Sequence, residues 1–100
     1  MTFEDFKVSL TETRVPAGVS PALAALWHDG RGDWNAAHET AQDIEGVEGA
    51  WVHAYLHRKE GDAPNAAYWY RRAEQPVCRQ SLAEEWEAIV RTLLGRPPSA

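Results

Sequence analysis

Apolar positions recur at helical spacing through most of the chain, in segments about helix length separated by turn signals at 14–20, 30–33, 45–49, 60–64, 76–80 and 95–98. No run combines strict alternation with β-branched enrichment, so no strand is expected. Thr2 caps a short helix running to about Leu10, with Phe3, Phe6 and Leu10 on one side. Ser20 caps a second helix, with Pro21 at its first position and Leu23, Leu26 and Trp27 as its stripe. Asp33 caps a third, through Trp34, Ala37, Ala41 and Ile44. Residues 45–49 read as a turn, and a fourth helix covers about Ala50–Glu60 with Trp51, Val52, Tyr55 and Leu56 inward. Asp62 caps a fifth helix to about Glu74. Ser81, with Glu84 three residues on, starts the last one, which carries Leu82, Trp86, Ile89, Val90 and Leu93 inward. Gly95 ends it, and the sequence from about 95 to Ala100 reads as a frayed tail.

Shifting the sequence by 29 lays Gly32-Asp33 on Gly61-Asp62, Ala37 on Ala66 and His28 on His57. A helix, a Gly-Asp turn and a second helix are used twice. The Gly lets the chain reverse tightly, the Asp accepts the free N–H groups of the next helix, and the small Ala lets the paired helices approach closely.

In this pattern the sequence resembles tetratricopeptide (TPR) and Sel1-like helical repeats over roughly residues 20–75. Gly61-Asp62, Ala66, Tyr70 and Ala73 reproduce the hairpin rhythm; Gly32-Asp33, Ala37, Ala41 and Ile44 keep its spacing without the aromatic. The copies are 29 residues apart, against about 34 in TPR units. Ala25 and Ala54 stand at the small-residue position of the first helices, whose usual Trp and Gly are missing. The resemblance implies an all-α fold of two antiparallel hairpins with an N-terminal helix and a C-terminal capping helix over Ser81–Leu94. It also implies a protein-interaction surface.

Composition narrows the function. One hundred residues, 44% of them hydrophobic, suit a single domain spanning 1–100. The five Trp each need a pocket and a partner for the indole N–H. The single Cys78 excludes an intrachain disulfide and a cysteine-built zinc site. The opening residues lack the basic start and apolar run of a signal peptide, and no stretch approaches a membrane span. A reducing, cytoplasmic setting is therefore expected. Residues 1–50 hold nine acids and three bases, and residues 51–100 hold six acids and seven bases. The molecule lacks the basic footprint of a phosphate-backbone binder, so no nucleic-acid partner is expected.

Two chemistries remain. The fifth helix carries Tyr68, Trp69, Tyr70 and Arg71 in succession, which span too much of the helical wheel to face inward together. Tyr70 follows the repeat rhythm inward. Tyr68, Trp69, Arg71 and Arg72, with Arg58 and Lys59 at the end of the fourth helix, are the expected interaction surface. It suits an acidic peptide, an unidentified protein, or a second copy in a homodimer. Phe3, Phe6 and Leu10 offer a competing fate for it, because the N-terminal helix would bury Trp69 if it lay over that face. The second chemistry is histidine. His53 and His57 are one turn apart on one helix, the spacing of a metal site. The Glu that a zincin H-E-x-x-H motif needs is replaced by Ala54. No cofactor and no metal ligand set is preferred, since His28 and His57 are equivalent in the repeat and suit structural roles at helix ends. The alternative is zinc or another divalent metal on His53 and His57, completed by His38 or Glu39. No phosphate-cradling glycine loop or nucleophile constellation is present, so a binding module is favoured over an enzyme.

Overall fold

Local capping places most of the helix starts. Thr2 and Asp5, like Ser81 and Glu84, form reciprocal capping boxes; Ser20, Asp33 and Asp62 each accept the backbone N–H three residues on. The computed structural model describes residues 1–96, and among the described residues there are six helices and no strand. They are α1 (Phe3–Ser9), α2 (Pro21–Gly30), α3 (Trp34–Gln42), α4 (Val47–Lys59), α5 (Ala63–Ala73) and α6 (Leu82–Leu94). Residues 97–100 of the expected tail lie outside the described residues. Gly95 caps α6, and Arg96 pairs with Glu48 at 2.9 Å.

The two Gly-Asp turns have the same geometry. Gly32 and Gly61 sit at φ 83° and 90°, a region a side chain would strain. In the first turn Asp33 N donates to His28 O and Gly32 N to Asp29 O; in the second, Asp62 N donates to His57 O and Gly61 N to Arg58 O. This pair of hydrogen bonds closes each helix end, and the same Asp opens the next helix. Both turns fold the chain into helical hairpins, α2–α3 and α4–α5, with Ala37 and Ala66 buried in them.

One expected boundary is corrected. The fourth helix begins at Val47, not Ala50, because Gly46 takes φ 89° and reverses the chain in one residue. Gly49 then lies inside the helix against Ile44; a Cβ there would stand 2.3 Å from the Ile44 carbonyl oxygen.

Helix α4 packs against α2, α3, α5 and α6, and Val52 through Leu56 and on to His57 are buried without a break. An enclosed helix must find a partner for every polar group it carries. Tyr55 OH and Lys59 Nζ therefore reach the buried Asp29 of α2 at 2.8 and 2.9 Å. Arg58 reaches Glu85 of α6 at 2.8 Å, and Tyr70 OH of α5 donates to the same carboxylate. Tryptophan N–H groups make further cross-ties: Trp27 to Ser9 O, Trp34 to Leu56 O, Trp86 to Leu26 O. The N-terminal helix packs on α6, where Phe3 and Phe6 flank Trp86 at 5.9 and 5.8 Å between ring centroids.

Candidate functional site

Helices α3 and α5 both pack on α4 and enclose its buried His53 and His57. Each side chain is placed by helical spacing. Trp34 and His38 are one turn apart on α3 and stack at 4.9 Å with an interplanar angle of 10°. His53 and His57 stack at 4.8 Å and 15°. Trp69 of α5 lies flat on His53 at 4.0 Å and 12°. His38 stands edge-on to His53, their Nε2 atoms 3.0 Å apart, so one of the pair donates and the other accepts.

A ring nitrogen from each of His38, His53 and His57 lies within 4.8 Å of the other two. His57 Nδ1 bonds Glu60 Oε1 at 2.6 Å, a contact that orients the ring. Burial holds the His53 pKa down at about 4, with the neighbouring His57 and His38 adding to the effect. His53 is therefore neutral near pH 7 and keeps a free lone pair for a hydrogen bond or a metal. Glu60 and Asp62 also gather around His57. Asp62 is engaged as the α5 cap, and Glu60 as the group that orients His57.

Of the alternative metal set, the structure brings together His38, His53 and His57; Glu39 is exposed on α3 and does not join them. His28 lies apart from the group, its ring edge-on to Trp27. The equivalence of His28 and His57 in sequence therefore covers their backbone carbonyls, which both accept the turn Asp N–H, and not their rings.

The expected interaction surface divides. Arg58 and Lys59 pair with Glu85 of α6 and Asp29 of α2 and do not extend the α5 edge. Tyr68, Trp69, Arg71 and Arg72 remain on that edge. Tyr68 is 43% exposed, Trp69 is half-buried, and both arginines are exposed. The Arg72 guanidinium lies 5.8 Å from the Tyr68 ring centroid and 5.3 Å from that of Trp69, and donates to Tyr68 OH at 3.0 Å. Helix α1, docked on α6, leaves this edge uncovered. Trp69 is half-buried by its stack on His53 and by its packing against Ala54, Ala66 and Tyr70, and the contact with α4 is not revealed by spacing within α5.

Among the described residues no helix is long and apolar enough to cross a membrane. Comparisons of the chain with family models, with curated proteins and with solved structures return no match.

Proposed function

We propose that the chain is a small tetratricopeptide-like interaction module, working by binding and not by a reaction, in a reducing cytoplasmic setting. Its contact edge is Tyr68, Trp69, Arg71 and Arg72 on α5, and its partner is an acidic segment of another protein. The observation that carries this reading is Arg72, held over both Tyr68 and Trp69 on an edge that the other described residues leave open. An aromatic pair with a guanidinium fixed beside it offers apolar area and a directed charge at little further ordering cost. Charge selects the partner. An isologous dimer through this edge would bring the Arg71 and Arg72 of both copies into one interface, whereas a Glu- or Asp-rich segment complements them.

The test is fluorescence anisotropy with labelled peptides of about a dozen residues, in which Glu and Asp flank one apolar side chain. Binding that weakens with salt, disappears when Gln and Asn replace the acids, and is lost in Arg72→Glu and Tyr68→Ala is the expected result. A protein indifferent to every acidic peptide, or one whose edge variants bind as the wild type does, refutes the reading. Concentration-dependent dimerisation lost in Tyr68→Ala assigns the edge to self-association instead.

A further inference from the structure

We infer that His38, His53 and His57 form a binding site for a divalent transition metal of the zinc, cobalt or nickel class, held between the two helical hairpins. The inference is independent of the acidic partner proposed for the α5 edge. Three imidazoles from two helices converge, with ring nitrogens within 4.8 Å of one another. In a tetrahedral site with metal–nitrogen bonds of about 2.0–2.1 Å, ligand nitrogens stand about 3.3 Å apart. His38 Nε2 and His53 Nε2, at 3.0 Å, already have that separation within a few tenths of an ångström. The third nitrogen, on His57, lies within 4.8 Å of both, so it need approach them by no more than about 1.5 Å to reach that separation.

The surroundings are those a metal-binding histidine uses. Glu60 accepts from His57 Nδ1 at 2.6 Å, so the lone pair of the neutral ring is on Nε2. Trp34 and Trp69 hold the His38 and His53 rings flat against their own faces. Rings already fixed lose little side-chain entropy when they ligate. All three donors are imidazoles, a set that suits zinc, copper and nickel over magnesium or calcium. The proton count is simple. In the metal-free pair one Nε2 carries the hydrogen of the His38–His53 bond. On metal binding that imidazole takes its Nδ1–H tautomer, and both Nε2 lone pairs go to the metal while each ring of the neutral pair keeps one proton. Three protein ligands leave a fourth position for water or an added donor.

The site also has a structural consequence. His38 belongs to α3 and the other two ligands to α4, so the metal joins one hairpin to the next. The metal-free chain makes that joint in part through the Trp34 indole N–H on the Leu56 carbonyl and the single His38–His53 hydrogen bond. A ligand that binds only the folded arrangement raises its stability.

The experiment uses the full chain, stripped with a chelator and titrated calorimetrically with zinc, then with cobalt while visible absorption is followed. One equivalent binds, the melting temperature rises with zinc, and cobalt gives the d–d bands of a low-coordinate nitrogen site. His38→Ala, half-buried on α3, removes a ligand with the least risk to the fold, which circular dichroism checks. It weakens binding about tenfold or more, as do His53→Ala and His57→Ala where they fold. Glu60→Gln, an exposed change that leaves all three ligands, weakens it several-fold. His28→Ala and Glu39→Ala bind as the wild type does, and so does Tyr68→Ala, which separates this site from the α5 edge. Absence of binding to the wild type at millimolar metal, or binding unchanged in His38→Ala, overturns the inference.

Discussion

Replacing Glu85 with Met tests whether polar networks around α4 hold the bundle together. Glu85 is 3% exposed and accepts from Arg58 Nη1 and from Tyr70 OH. Burial, and then the bond to this carboxylate, push the Tyr70 hydroxyl pKa up, so it stays a proton donor throughout the accessible pH range. Glu85→Met strands that hydroxyl in a fully buried position, at a cost of about 1–3 kcal/mol. The guanidinium loses its ion pair as well. Its side chain is 23% exposed and it keeps the Gln80 carbonyl, so the loss falls at or below the lower end of the ~3–5 kcal/mol typical for breaking a buried pair. The two terms overlap in one network, and about 3 kcal/mol in total is expected. A chain of 100 residues has about 5–15 kcal/mol to lose, so the variant folds with a much lower urea midpoint. The triple variant Glu85→Met, Arg58→Met, Tyr70→Phe removes every orphan and recovers most of the loss. Urea unfolding followed by far-UV circular dichroism measures both. A single variant that loses less than about 1 kcal/mol at unchanged slope, or a triple variant no more stable than the single, refutes the assignment.

The metal-free protein is expected to lose stability as pH falls from about 6.5 to about 4. His53 titrates near 4 when folded and near 6.5 when unfolded, so the unfolded chain binds more protons in that window and stability falls with decreasing pH by at most about 3 kcal/mol. Urea midpoints with chelator between pH 4.5 and 7.5, compared with His53→Gln, isolate this part of the slope, and an identical slope in the variant refutes it. Ala37→Leu and Ala66→Leu each overpack a hairpin at a buried position and cost about 1–3 kcal/mol; thermal midpoints unchanged in both would sink the hairpin alignment.

What the sequence made legible was whatever is local. The caps at Thr2, Ser20, Asp33, Asp62 and Ser81 involve residues three apart, and each appears as read. The turn at 45–49 was misread because its two glycines have unrelated uses. Gly46 turns the chain, whereas Gly49 lets α4 pass close to Ile44, a tertiary contact that the letters alone do not show. Arg58 and Lys59 look like ordinary cations at a helix end. Their partners are 27 and 30 residues away, and only the packing of α4 against α6 and α2 brings them together. The candidate site divides in the same way. The pairing of His53 with His57 is visible as a spacing of four, but the arrival of His38 depends on how α3 docks on α4.

The run Tyr68-Trp69-Tyr70 shows how one short segment serves three environments. Successive residues on a helix are turned about 100° from one another, so three neighbours cannot share a surface. Tyr70 points into the core and donates to Glu85. Trp69, one step back, faces α4 and stacks on His53. Tyr68 points outward and meets Arg72 one turn later. Trp69 thus touches both the histidine cluster and the aromatic–arginine edge, and its removal disturbs the two together. Tyr68 touches only the edge and His38 only the cluster. Those two positions, and not the tryptophan between them, separate the proposed partner-binding surface from the proposed metal site.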